Sequence, residues 1–249
     1  MENIYFTKGR QIMLLIAFVF FATLSSCSFG ISGTERIKGS GEVISELREL
    51  PYFNAIDVSN SFDVFITMGE EFHVEIKADD NIVPLVITEV IDDVLEISIE
   101  RNYSIRKAKS QELHITMPML LSIKASGATS VKLENRLDSE ALYVQASGAS
   151  DVMLDANLSY LEIKFSGASD LKITGFSESV KARLSGASDM KDYDFVCNFL
   201  DANLSGASDI RITANEKVSG KLSGASDINL KGDPLVVVST SGASSVIKR

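Results

Sequence analysis

The chain is poor in the residues that most enzymes and small secreted scaffolds depend on. Its 249 residues include two cysteines, two histidines and no tryptophan. Two cysteines cannot build a disulfide-dense scaffold, and two histidines leave little for a metal or acid–base centre. Positive charge is also scarce. Lys and Arg number 24 against 34 Asp and Glu, a net charge of −10. Nucleic acid needs a basic surface, so it is not an expected partner. Nor is there a long apolar run. The longest, Ile12–Leu24, spans 13 residues, too short for a membrane helix.

That short run has the proportions of a signal-peptide core. Lys8 and Arg10 precede it, and Leu24-Ser25-Ser26-Cys27 closes it. The closing tetrapeptide resembles a bacterial lipobox, in which the cysteine is acylated and becomes the new N-terminus. Residues 1–26 are therefore expected to be a lipoprotein signal peptide, with Cys27 as the lipidation site. Several acyl chains on one cysteine anchor stably where one would not. The expected location is the cell envelope, lipid-anchored at the outer membrane, with the periplasmic and surface faces both open. Residues 27–52 read as a tether and residues 53–249 as the folded domain. Cys197, the remaining thiol, is expected to pack as a small hydrophobe.

Internal repeats dominate the rest of the chain. Ser-Gly-Ala begins at Ser126, Ser147, Ser166, Ser185, Ser205, Ser223 and Ser241, at spacings of 21, 19, 19, 20, 18 and 18. Apolar residues alternate on both sides of each copy, as in Leu161-Glu162-Ile163-Lys164-Phe165 and Leu171-Lys172-Ile173. That is the period of a strand. Glycine in every unit and β-branched flanks oppose a helical repeat. A propeller blade needs about twice this length. Each repeat therefore reads as two short strands joined by a bend at Gly127, Gly148, Gly167, Gly186, Gly206, Gly224 or Gly242. Unbroken parity would turn the glycine and the second serine inward, and the first serine, the alanine and the aspartate outward. Repeats of this length stack as coils of a parallel β-solenoid.

A divergent copy precedes these seven. Ile56–Ile66 aligns with Val144–Leu154, with Asn60 in the glycine position and Phe62 in that of the inward serine. About eight coils result, with Phe62 expected to plug the end of the core. Residues 68–112 read as an insert of two hairpins near the N-terminal end. Phe62–Ile66 would pair with Phe72–Ile76, and Leu85–Ile87 with Leu95–Ile99. A basic loop would occupy residues 101–111, carrying Arg101, Arg106, Lys107 and Lys109.

Phe53-Asn54-Ala55-Ile56-Asp57-Val58, then Asp63-Val64-Phe65-Ile66, then the Ser-Gly-Ala-Ser-Asp copies, resemble the head GIN domain of auto-transporter adhesins, a family common among lipoproteins of the Bacteroidetes. The resemblance covers roughly residues 40–249. It implies an all-β, right-handed parallel β-helix and an adhesin-like role, and it carries over no catalytic residues.

The outward aspartates are the most suggestive chemistry. Asp63, Asp151, Asp170, Asp189, Asp209 and Asp227 should form one column, broken by Ser130 and ending at Ser245. Carboxylates about 4.8 Å apart repel. Backbone N–H groups or serine hydroxyls at the bend would offset this, and a Ca²⁺ ladder is the sharper alternative. One carboxylate per coil supplies few ligands, so no metal or other cofactor is expected. His73 and His114 lack any nucleophile beside them. Tyr193, Phe195 and Phe199 are the best aromatic cluster for a glycan, against the plainer reading of packing beneath a loop. The chain closes at Val246-Ile247-Lys248-Arg249 just after the last copy, so a homo-oligomer through the C-terminal coil is a further expectation. The leading reading is a non-enzymatic, adhesin-like binding module for an extracellular glycan or protein. A self-associating envelope scaffold comes second, and a polysaccharide-active β-helix enzyme third.

Overall fold

Alternating apolar residues bury one parity of each strand and stack it on the same parity of the next repeat. Ile123, Val144, Ile163, Ala182 and Ala202 lie in parallel register, one from each successive repeat. A computed structural model describes residues 34–249, and Arg36–Arg249 form one unit within it. The signal peptide and Cys27 lie outside the described residues. Every repeat makes one coil of a β-solenoid. In each coil a strand leads into the Ser-Gly-Ala bend and a second trails away from it, as Leu137–Ala146 and Asp151–Phe165 do. The leading strands stack into one outer face and the trailing strands into another. The core between them is a continuous column of Leu, Ile, Val and Ala, with Cys197 fully buried within it.

The bend departs from simple alternation. All seven glycines are exposed, with φ between +76° and +85°, so the expectation that they face inward is corrected. A residue with left-handed φ reverses the local chain and resets the parity, which an extended strand could not do. The second hydroxyl residue does point in. Thr129, Ser150, Ser169, Ser188, Ser208 and Ser226 are buried. Their hydroxyls are satisfied by a ladder. Ser150 Oγ donates to the Ser147 carbonyl at 3.0 Å and accepts from Thr129 N–H at 3.4 Å, and Ser169 and Ser188 repeat the pattern. A buried hydroxyl with both roles filled costs the core little.

Stacking order and chain order differ at the N-terminal end. Ala55–Val58 and Asp63–Met68 form the divergent coil, paired on one side with Ser122–Ala125 and Ser130–Leu133. On the other side they pair in parallel with Val94–Ile99 and Gln111–Met117. Much of the stretch read as an insert is thus a basal layer of the solenoid, laid down after the coil it supports. Phe62 is buried but does not plug an end, because that layer lies beneath it. Asn60 adopts φ +80° in place of glycine, and its Oδ1 accepts from Ile99 N–H at 3.0 Å.

The two expected hairpins fare differently. Val86–Ile91 and Val94–Ile99 do pair antiparallel, around Asp92 and Asp93, both at positive φ as a tight two-residue turn requires. The first hairpin is corrected. Gln111–Met117 lies between Asp63–Met68 and His73–Asp79, parallel to one and antiparallel to the other. Part of the stretch read as a tether is also structured. Val43–Leu47 adds antiparallel to His73–Asp79. Buried Asp79 accepts from Gly41, Lys109 and Ser110 N–H at 2.6, 2.7 and 3.1 Å, tying that entry segment to the basal layer. Tyr103–Lys107, within the expected loop, is a short strand.

Candidate functional site

The trailing face carries the aspartates. Asp63, Ser130, Asp151, Asp170, Asp189, Asp209, Asp227 and Ser245 occupy one register position, with Glu112 below them. Backbone donors hold the C-terminal members. Asp209 N–H donates to Asp189 Oδ1 at 2.9 Å, and Asp227 N–H donates to Asp209 Oδ1 at 3.2 Å. Ser245 donates to Asp227 Oδ1 through N–H and Oγ, at 2.9 and 2.7 Å. Two residues after the column position stand Lys132, Lys172, Lys191 and Arg211, with Phe65, Met153, Asn229 and Ile247 in the other coils. Lys191 Nζ lies 2.5 Å from Asp189 and 3.7 Å from Asp170, and the hydrogen bond to Asp189 raises its pKa. This face is therefore a charge-alternating ladder and not an acidic stripe. The signal for it is the pattern Asp-x-Lys/Arg, which stands in the sequence at 170–172, 189–191 and 209–211. Among the described residues, no three acidic, histidine or cysteine side chains are placed to share a metal ion.

The leading face is different. Two of its outward columns run Lys124, Gln145, Lys164, Arg183, Asn203, Lys221 and Ser122, Tyr143, Glu162, Lys181, Asp201, Ser219. Over these six coils five cations stand against two carboxylates, on a chain whose net charge is −10, and Asp57 and Glu96 continue the first column below Lys124. At the centre, Glu162 is 9% exposed. Its Oε1 meets Lys164 at 3.2 Å, Arg183 at 3.2 Å and Lys181 at 3.5 Å, while Tyr160 donates its hydroxyl to Oε2 at 3.0 Å. Burial alone would push this carboxyl up. The hydrogen bonds from Lys164 and Tyr160 and the surrounding charge outweigh it, and the net shift is downward. Burial, then the bond to Glu162, push the Tyr160 phenol up to about 12. Lys124 pairs with Asp57 one coil below.

An open groove of about 380 Å³ runs along this face, between Gln145, Lys164, Arg183 and Asn203 and the bend serines Ser166, Ser185 and Ser205. Tyr143 and Phe199, 47% and 43% exposed, stand on the same face but outside the groove's lining, Phe199 four residues along the strand from Asn203. A larger hollow, about 510 Å³, lies at the N-terminal end between Leu47, Phe53 and Phe72. Its one arginine, Arg48, already meets Glu46 at 3.1 Å and the Val83 carbonyl at 3.3 Å, so the groove is the better-equipped binding surface.

Other sequence candidates disperse. Phe195 is buried, Tyr193 lies under Lys231 at 4.6 Å, and only Phe199 of that cluster is exposed. His114 stacks on Phe65 and contacts Glu112 at 3.1 Å, while His73 is 4.0 Å from Glu75. In the basic segment, Lys109 Nζ reaches the Gly41 carbonyl at 3.3 Å.

Residues 52–234 match the family described as "Putative auto-transporter adhesin, head GIN domain". The chain belongs to this family. Its head GIN domain is similar to a putative adhesin from Bacteroides fragilis NCTC 9343, at 25% identity and TM-score 0.82, covering 86% of this chain and all of that one. A putative adhesin from Parabacteroides merdae ATCC 43184 shares the fold at 18% identity and TM-score 0.73, covering 86% and 99%. So does a protein described as a putative lipid binding protein from Parabacteroides distasonis ATCC 8503, at 16% identity and TM-score 0.73, covering 86% and 100%. No curated protein matches the chain. An adhesin-type head GIN domain is a component of the cell envelope or surface, and neither the family's description nor that of the B. fragilis protein attaches a reaction to it.

Proposed function

We propose that this chain is a lipid-anchored envelope protein whose solenoid binds a ligand without chemical turnover, through the groove on its leading face. The observation that carries this reading is the cluster of cations there, against an otherwise acidic chain. A scaffold that only stacked would gain little from Lys164, Lys181 and Arg183 gathered around one carboxylate, since surface ion pairs contribute little to stability. The Leu24-Ser25-Ser26-Cys27 motif supports the anchor. Two variants test the two halves. Cys27→Ala should move the protein from the detergent phase to the aqueous phase, and continued partition into detergent would refute the anchor. Lys164→Glu with Arg183→Glu should abolish binding to whichever glycans or matrix proteins an array identifies. Unchanged binding would remove the groove as the recognition surface.

A further inference from the structure

The groove's chemistry repeats along the solenoid axis, and a ligand that exploits it must repeat too. Gln145, Lys164, Arg183 and Asn203 stand one per coil, about 4.8 Å apart. That rise is close to the length of one sugar unit in an extended polysaccharide. Cations and carboxamides share this column. Lys164 and Arg183 are bracketed by Gln145 and Asn203, with Lys124 and Lys221 beyond. Carboxamides and bend serines suit sugar hydroxyls.

The protein's own Glu162 shows what the cations accept. Two lysines and an arginine converge on its carboxylate, and the cluster keeps an excess of positive charge even with Asp201 in register beside Lys181. We infer that this groove takes an acidic polysaccharide, carboxylated or sulfated, laid along the axis with its anions against Lys164, Lys181 and Arg183. The inference rests on the groove being the binding face. A folded protein partner fits less well, because its hot spots seek deep apolar pockets and this groove is open and rimmed by Lys164, Arg183, Gln145 and Asn203.

The test uses the full acylated chain in detergent micelles, with polygalacturonate and chondroitin sulfate as probes. Fully methyl-esterified polygalacturonate serves as the uncharged counterpart of the first. Both acidic polymers should bind, with affinity falling as salt rises, and the ester should not. Binding of polygalacturonate alone would assign carboxylate as the anion, and of chondroitin sulfate alone, sulfate. Lys164→Glu with Arg183→Glu should weaken binding about tenfold or more, equivalent to about 1.4 kcal/mol. Glu162→Gln, which removes the competing carboxylate, should tighten it. Lys172→Glu with Lys191→Glu on the trailing face controls for overall charge and should cost much less. Circular dichroism checks that each variant is folded. Equal binding of the ester, or equal losses from the two charge-reversal pairs, would overturn the inference. If no polysaccharide binds but an array ligand is lost in the Lys164/Arg183 variant, the ligand class is wrong and the groove stands. If groove variants alter no binding at all, both readings fall.

Discussion

Two glycines with nearly the same backbone separate the two demands made on the bend. Gly186 has φ +80° and Gly41 φ +89°, so a side chain at either meets the same left-handed penalty, about 1–2 kcal/mol. The lower unfolded-state entropy of alanine offsets part of this equally at both sites. Their surroundings differ. A Cβ on Gly41 would meet nothing within 4 Å, whereas on Gly186 it would lie 2.4 Å from the Gly167 carbonyl oxygen in the adjacent coil. An ordinary C···O contact is about 3.3 Å, so the coils would have to part by about 0.9 Å. That stretches the Ala187 N–H to Gly167 carbonyl bond from 2.7 Å beyond useful range. The lost bond costs about 1 kcal/mol and the steric strain about 1–3 kcal/mol. Gly41→Ala should therefore destabilise by about 1 kcal/mol and Gly186→Ala by about 3–5 kcal/mol. Urea unfolding followed by far-UV circular dichroism reads both. A difference below about 0.5 kcal/mol would refute the claim that interlayer contact, and not φ alone, requires the glycine.

Two further outcomes concern buried groups. Burial would raise the Asp79 carboxyl, but the N–H donors of Gly41, Ser110 and Lys109 outweigh it and hold its pKa below the ordinary 3.8. Its contribution is complete above that value and is lost as pH falls through the folded one, so Asp79→Asn should cost about 2 kcal/mol near neutrality. The gap in melting temperature from wild type should close only in acid; a gap that persists undiminished there would contradict the assignment. Burial pushes the Cys197 thiol up to about 12. In a Cys27→Ser chain it should resist iodoacetamide until denaturant is added, as mass spectrometry would read, and rapid native labelling would show that the core opens.

What repeats in this sequence is legible, and what is assembled across repeats is not. The seven Ser-Gly-Ala copies carry the bend, the coil and the register of the aspartate column within about 20 residues each. Parity places the glycine inward, wrongly, because strict alternation has no place for a residue at positive φ. The basal layer escapes because Val94–Ile99 and Gln111–Met117 carry no Ser-Gly-Ala between them. Adjacency in sequence then suggests hairpins, while the real partner of Asp63–Met68 arrives some 45 residues later. The groove escapes for another reason. Its column lies two residues before each copy's first serine, at Lys124, Gln145, Lys164, Arg183, Asn203, Lys221 and Ser239. Aligning the copies exposes it, but attention goes to what is constant, and this position varies.

That variation is itself informative. In a solenoid each coil touches only its neighbours, so positions that set the stacking face the same constraint in every coil and converge on the same residue. Glycine at the bend, the buried hydroxyl and the laddered aspartate all do so. An outward position free of stacking constraints has no reason to repeat. Lys-Gln-Lys-Arg-Asn-Lys fills this position in six successive coils with no acid and no apolar side chain, while the same register continues to Asp57 and Glu96 below and Ser239 above. On a chain with 34 acidic residues, six successive coils with only cations and carboxamides at this position point to a pressure other than folding. The repeated aspartates, which first draw the eye as chemistry, serve the stack. The groove lies among the residues that the repeat left free to differ.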